Sequence, residues 1–246
     1  MASKLQALEI DCKFHMDTHL ILGNVYSCDI KSIGKIESAE LIVVNGTHDK
    51  NKTIADVVSV FLQGKKGPTT VPTNVGKQFP GIKAFGWLFA GVKTVAANDL
   101  KQFANLEVLE LCFNDLEVLE SNLFSNTPNL KVINFRSNRL QKISPDLLNG
   151  LANLERAIFD KNPCIDFHVD IHRKQNKTSF DDLKKSFAAN CTGVAVTAVT
   201  GTTGGTGATA ARTTVAGMHT TAEVHTTTHE DHATTESDES ETKIDN

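Results

Sequence analysis

The chain has 246 residues with a formal net charge of −4, and its composition changes abruptly after Cys191. Residues 1–191 hold 23 Lys+Arg and 21 Asp+Glu, whereas the last 55 residues hold 2 and 8, so neither part is basic enough to favour nucleic-acid binding. No run approaches the roughly 18 apolar residues that would span a bilayer, which argues against a membrane span.

The first ten residues lack the apolar stretch of a secretory signal. We therefore interpret residues 1–10 as the remnant of a leader or as residues added for expression. In the next segment, residues 11–56, two apolar runs are predicted as strands, Asn24–Ile30 and Ala39–Val44.

A pattern of apolar residues recurs every 24 residues in the middle of the chain. The unit that begins at Leu106 reads L-x-x-L-x-L-x-x-N-x-L. Its asparagine column holds Asn114, Asn138 and Asn162. Counting a degenerate first unit, residues 57–163 contain about five units.

This pattern resembles the leucine-rich repeat, and its 24-residue length resembles the extracellular type found in small secreted arthropod proteins. The resemblance implies an α/β repeat fold, a leucine-rich-repeat solenoid with a parallel sheet on the concave face and disulfide-capped ends. The pattern departs at Ala90, which replaces the expected Asn, and at Gln63-Gly64-Lys65. In the regular units the Asn side chains are expected to satisfy buried backbone groups. Trp87, in a core column, is interpreted as packing.

The resemblance also implies caps at both open ends of the solenoid. Residues 11–56 would form the N-terminal cap and residues 164–191 the C-terminal cap. In the second cap, Ser179 and Asp182 have the spacing of a capping box and predict the start of a short helix.

Four of the five cysteines would close these caps as the pairs Cys12–Cys28 and Cys164–Cys191, which leaves Cys112 unpaired. Such bridges persist only in an oxidising compartment, so the protein is predicted to be secreted and extracellular. A zinc site made of Cys12, His15, His19 and Cys28 is the less favoured alternative. His168 and His172 are interpreted as solvated, and no metal site is predicted.

Four N-x-S/T sequons in the cap segments are glycosylation candidates: Asn45, Asn51, Asn176 and Asn190. They leave the repeats free of sugar. Residues 192–246 contain 17 Thr and no Pro, Leu, Cys or aromatic residue, which predicts a disordered, Thr-rich acidic tail. Its threonines suit O-glycosylation.

Alternation along each strand predicts which side chains point onto the concave face. If Leu109 and Leu111 point inward, their neighbours point outward, and the same columns recur in each unit. The predicted binding surface comprises Phe61, Leu88, Phe89, Val108, Glu110, Cys112, Phe113, Val132, Asn134, Arg136, Arg156 and Asp160. It is apolar toward the first repeats and charged toward the last. An exposed odd cysteine suggests a disulfide-linked homodimer through Cys112, against the alternative of a half-covered, unreactive thiol.

No nucleophile elbow, phosphate loop or dinucleotide motif occurs, so neither an enzyme nor a cofactor is expected. The favoured function is a noncatalytic extracellular binding module that recognises a protein or surface ligand through its concave sheet. The resemblance implies recognition, adhesion or innate defence. The alternative is a structural or matrix protein that acts through self-association and its Thr-rich tail; deleting the tail would abolish partner binding only in that case. A concave face that is merely tolerated, or covered by the tail, also stays open.

Overall fold

The computed structural model describes residues 8–34, 40–63, 68–172 and 178–193. All of these lie in the first of two compact units, residues 1–197 and 198–246. The predicted tail beyond Gly193, the sequon at Asn176 and the predicted leader before Leu8 lie outside the described residues.

Short strands dominate the described part of the chain. The strands are β1 Leu8–His19, β2 Gly23–Ile33, β3 Leu41–Asn45, β4 Val57–Leu62, β5 Ala84–Trp87, β6 Val108–Glu110, β7 Val118–Leu119, β8 Val132–Asn134, β9 Lys142–Ile143, β10 Arg156–Ile158 and β11 His168–Asp170. The helices are α1 Val75–Gln78, α2 Ala97–Leu100 and α3 Phe180–Asn190, with a 3-10 turn at Ile54–Asp56. One sheet has the order β11-β10-β8-β6-β5-β4-β2-β1-β3, and β7 pairs with β9 in a second.

Five parallel strands, β4, β5, β6, β8 and β10, stack in the register that the repeat predicts. Ser59 lies opposite Ala84, and Ala84 lies opposite Val108. Val108 lies opposite Val132, which lies opposite Arg156. The 24-residue frame is therefore confirmed, and so is the alignment of the outward columns.

The asparagine column forms a buried ladder of side-chain amides behind the sheet. Asn138 Nδ2 donates hydrogen bonds to the carbonyls of Leu111 (2.9 Å) and Phe135 (3.0 Å). Its Oδ1 accepts one from the backbone N–H of Leu116 (3.1 Å). These bonds satisfy backbone groups where each unit turns away from its strand, which confirms the predicted structural role. Trp87 is buried in the core, as predicted.

The N-terminal cap continues the sheet through β2, which pairs in parallel with β4 and antiparallel with β1. A Cys12–Cys28 disulfide joins the two strands of this hairpin. The two predicted strands correspond to β2 and β3, but the sequence interpretation missed β1. Leu8 and Ile10 are buried core residues of β1, so residues 8–10 belong to the fold and not to a leader remnant. Their alternation with exposed Glu9 is typical of a strand.

The C-terminal cap closes the other end of the sheet with α3 and β11. The Ser179 hydroxyl accepts from the Asp182 N–H, and the Asp182 carboxylate accepts from the Ser179 N–H, so the predicted capping box is present. Phe187 of α3 packs edge-on against the core ring of Phe159, with ring centroids 5.0 Å apart. A Cys164–Cys191 disulfide fastens the helix end to the last repeat.

Candidate binding surface on the concave sheet

The turn of the β1–β2 hairpin packs against the first outward column of the concave sheet. Half-buried Ile21 and Leu22 contact a small apolar cluster made of Ala84, Val108 and Val132. Val108 is 0% exposed. The assignment of Val108 and Val132 to an open binding surface is therefore wrong, because the hairpin that precedes the repeats covers this column.

The third outward column is also more buried than predicted. Leu88 is 9% exposed and Cys112 is 2% exposed, so neither offers an open contact surface. Outward side chains of adjacent strands are about 4.8 Å apart, so a small side chain is readily covered by larger neighbours in its column. Cys112 lies between the column positions of Leu88 and Arg136, and both of these side chains are larger.

Burial also determines the chemistry of the Cys112 thiol. Desolvation raises the pKa of Cys112 to about 12, with the negative charge of Glu110 acting in the same direction and Arg136 opposing it. A thiol with this pKa is protonated at neutral pH and is a poor nucleophile. The prediction of an exposed Cys112 thiol is thus wrong, and the structure agrees with the alternative of a covered, unreactive thiol.

Phe61 is only half-buried, and it fills space on the face instead of projecting from it. Its ring lies over Gly86 in the same outward column, where any side chain on Gly86 would collide with the ring. The ring also packs against the apolar cluster under the hairpin. Together with Ile21 and Leu22, Phe61 therefore covers the face at the amino ends of the repeat strands.

The apolar residues that do project lie at the carboxyl edge of the strands. Phe89 and Phe113 are 45% and 39% exposed. Their rings stack with centroids 4.4 Å apart and planes 6° apart. Both residues have φ of 58°, in the left-handed region that bulky side chains avoid. Ser137 and Lys161 follow β8 and β10 with the same conformation, so this turn is a feature of the repeat.

The part of the face that the last repeats form is polar and half-buried. Arg156 Nη2 contacts Asp170 Oδ2 at 2.7 Å, and His168 Nδ1 contacts Asp160 Oδ1 at 3.1 Å. Desolvation raises the pKa of Glu110, against the attraction of Arg156. Asn134, Arg136, Arg156 and Asp160 thus lie on this part of the surface, as the columns predict.

Comparison with known proteins agrees with this geometry. Residues 104–156 match the family model for the leucine rich repeat. The matched residues lie within the predicted repeats, residues 57–163. No curated protein is significantly similar to the chain.

Solved structures also match part of the chain. One is a TLR13–ssRNA13 complex, with a TM-score of 0.37 and 20% identity over 50% of this chain and 21% of that one. Another is an internalin (inlF) from Listeria monocytogenes, with a TM-score of 0.31 and 17% identity over 50% of this chain and 42% of that one. The chain spans less than half of either structure.

A charged ladder along the amino edge of the leucine-rich-repeat sheet was missed by the sequence interpretation. Glu107 contacts Lys83 at 2.9 Å and Lys131 at 2.7 Å. Desolvation acts to raise the pKa of Glu107, but hydrogen bonds and charges from the two lysines outweigh it, and the pKa is lowered. The three residues are spaced by 24, so the repeat itself carried this signal.

The histidines and cysteines proposed as zinc ligands have other partners. Cys12 and Cys28 are bonded to each other, and His15 Nε2 contacts Asp29 Oδ2 at 3.0 Å. His168 lies on β11 beside Asp160, and His172 Nε2 contacts Glu155 Oε2 at 2.8 Å. Within the described ranges, no group of three or more His, Cys, Asp or Glu residues is placed to hold a metal.

Two further predictions concern the surroundings of the protein. Asn45, Asn51 and Asn190 are exposed, as a glycan acceptor must be. In the part of the chain that the structure describes, no helix has the length and apolar character needed to cross a bilayer.

Proposed function

We propose that the chain is a noncatalytic extracellular module that binds a protein ligand through the carboxyl edge of its leucine-rich-repeat sheet. The observation that carries this proposal is the exposed, stacked pair Phe89–Phe113. Aromatic side chains dominate the binding energy of many protein interfaces. Solenoids commonly use their concave side for binding, and here the hairpin leaves the carboxyl edge as its open apolar part.

The residue type at this turn, and not the turn itself, supports a role other than folding for the two rings. A left-handed conformation costs a residue with a side chain about 1–2 kcal/mol, and Gly or Asn would adopt it more easily. Strain of this kind clusters at functional sites. Two adjacent repeats nevertheless place Phe in this position, where much of each ring is exposed to solvent and adds nothing to the core.

The extracellular part of the proposal has support from the caps. Both caps contain a disulfide, which favours an oxidising compartment. The exposed sequons Asn45, Asn51 and Asn190 lie outside the carboxyl edge, so glycans there would leave it accessible. A homodimer through Cys112 is not part of the proposal, because the thiol is buried. The expectations of no enzymatic activity and no nucleic-acid partner stay predictions.

The test is a selection of ligands on the folded full-length chain from a phage library of random 12-residue peptides. Peptides that bind the chain should lose at least tenfold in affinity for the double variant Phe89→Ser/Phe113→Ser. Val118→Ser is the matched control, since Val118 is as exposed as Phe113 but lies in the separate sheet of β7 and β9. Equal affinity for all three proteins would contradict the proposal, as would selection of no binding peptide.

Stability measurements separate a binding role from a packing role. Leu111→Ala opens a cavity in the core and should cost about 2–5 kcal/mol of unfolding free energy. Phe113→Gly should change it by no more than about 1 kcal/mol, because relief of the left-handed strain offsets the lost stacking, worth about 0.5–1.5 kcal/mol, and the added chain entropy. Urea denaturation of both variants measures the difference. A loss for Phe113→Gly as large as that for Leu111→Ala would assign Phe113 to the core.

A further inference from the structure

An arginine beside the aromatic pair has no ionic partner among the described residues. Arg136 follows β8 and lies one strand away from Phe113, whose N–H donates to the Arg136 carbonyl at 2.9 Å. The Arg136 Nε is buried without a hydrogen-bond partner, and no carboxylate of the described part of the chain pairs with the guanidinium. A buried donor atom without an acceptor is unusual in a folded protein, and the Arg156 Nε is a second one.

The Arg136 side chain lines a hollow of about 210 Å³ on the concave face. The other walls are Arg156, Ile158, Asp160, His168 and Asp170. Two pairs of these side chains contact each other, Arg156 with Asp170 at 2.7 Å and His168 with Asp160 at 3.1 Å. Of the two arginines that line the hollow, Arg156 contacts a carboxylate, whereas Arg136 contacts none in the described part of the chain.

The charge of the hollow decides which anion it suits. A singly charged anion held by Arg136 would meet less repulsion from Asp160 and Asp170 than a phosphate dianion would. A carboxylate is planar, and two terminal guanidinium nitrogens can hold it through parallel hydrogen bonds. The neighbouring Phe89–Phe113 pair suits an apolar side chain next to that carboxylate.

We propose that the hollow at Arg136 is a subsite for an Asp or Glu side chain of the protein ligand, with an apolar residue of the same ligand on Phe89 and Phe113. This inference rests on the proposed function and specifies the chemistry of the partner. Arg136 is the anchor, and Arg156 is held in place by Asp170 as the wall of the subsite.

The test repeats the peptide selection on the full-length chain and on two variants. Arg136→Gln removes the anchor. Arg139→Gln makes the same chemical change three residues later, at an exposed arginine whose Nε contacts Asp115 at 2.9 Å. Peptides selected on the wild type and on Arg139→Gln should be enriched in Asp or Glu next to an apolar residue, and this enrichment should disappear on Arg136→Gln.

A selected peptide and its analogue with the acid changed to the amide then give a double-variant cycle by fluorescence anisotropy. On the wild type the amide analogue should bind at least tenfold more weakly, as expected for a charge-assisted pair. On Arg136→Gln the two peptides should agree within about twofold. Near-ultraviolet circular dichroism of Arg136→Gln checks that its fold is unchanged.

The outcomes separate this inference from the proposed function. Peptides that depend on Phe89 and Phe113 but not on Arg136 would overturn the acidic subsite alone. Peptides that depend on neither would overturn both. Arg136-dependent binding of hyaluronan fragments, with no acidic peptide selected, would assign the carboxylate to a glycan and contradict the proposed protein source.

Discussion

Cys112 and Phe113 are adjacent outward positions of one repeat, and their environments are opposite. Cys112 continues the line of β6 on the concave face and is covered by its column. Phe113 comes one residue later, where the left-handed turn directs the chain away from the sheet and leaves the ring exposed. A single step along the backbone therefore separates a buried thiol from the proposed ligand contact.

The burial of Cys112 predicts a thiol that is silent in the native state. At pH 8 the native chain should react with a thiol-specific reagent such as DTNB at least a hundredfold more slowly than the chain in 6 M guanidinium, because little thiolate forms when the pKa is about 12. Cys112→Ser serves as the blank. Rapid reaction of one thiol per native chain would contradict the burial, and a dimer band on a nonreducing gel that is lost in Cys112→Ser would restore the homodimer hypothesis.

At the scale of elements, the asparagine ladder and the sheet register were predictable because both follow from spacing within the chain. The 24-residue period determines which residues face each other, and the side chain of Asn138 bridges groups of its own and adjacent units. The capping box at Ser179 is equally local.

Removing one side-chain amide from the asparagine ladder should lower the free energy of unfolding. Asn138→Ala removes the acceptor of the Leu116 N–H, and an unsatisfied buried group costs about 1–3 kcal/mol. The carbonyls of Leu111 and Phe135 keep the donors Asn114 Nδ2 and Asn162 Nδ2. We expect a loss of about 1–3 kcal/mol of unfolding free energy in urea denaturation. Asn122→Ala, at an exposed loop position, is the control and should lie within about 0.5 kcal/mol of the wild type. Equal values for the two variants would show that the ladder does not support the fold.

The covering of the face was not predictable in the same way, because it depends on packing between segments far apart in the sequence. Ile21 and Leu22 lie at a hairpin turn, and nothing in their spacing relates them to Ala84 or Val108. The hairpin itself left a signal, the alternation of Leu8, Ile10 and Cys12, that the assumption of a leader concealed. The prediction of an open surface was therefore wrong where the hairpin lies and at Leu88 and Cys112, and the binding role of the other residues stays a prediction.

The hairpin turn contains a histidine that should make its structure depend on pH. His19 Nδ1 accepts hydrogen bonds from the N–H groups of Ile21 (3.2 Å) and Leu22 (3.4 Å), which requires an unprotonated nitrogen. Desolvation lowers the pKa of His19 below the ordinary 6.5, against the attraction of Asp17. Its contribution to stability is therefore fully present above pH 6.5 and is lost as pH falls through the folded pKa.

NMR titration of the full chain measures this effect. The His19 ring should titrate below pH 6.5, and the amide signals of Ile21 and Leu22 should shift at the same midpoint. In His19→Asn the side-chain oxygen can replace Nδ1 as the acceptor, so the same two amides should lose most of their pH dependence. A His19 midpoint at or above 6.5, or amide shifts that persist in the variant, would show that the turn is not held by this histidine.

For the molecule as a whole, the outward face of the repeat sheet has two parts with different surroundings. An additional apolar cluster lies at the amino ends of the repeat strands. It consists of the hairpin turn of the N-terminal cap, Phe61 and the small residues of the first column. The carboxyl edge keeps the exposed Phe89 and Phe113 next to the unpaired Arg136. The N-terminal cap thus contributes to the shape of the proposed binding face as well as to the closure of the core.

Chemical-shift mapping of the isotope-labelled full-length chain with the tightest selected peptide tests this division most directly. The largest changes should fall on the amides of residues 88–91, 112–115 and 136–138, with the hairpin turn at residues 20–23 and α3 unchanged. Changes that centre on the hairpin turn or on α3, while the carboxyl edge stays unperturbed, would contradict the central claim.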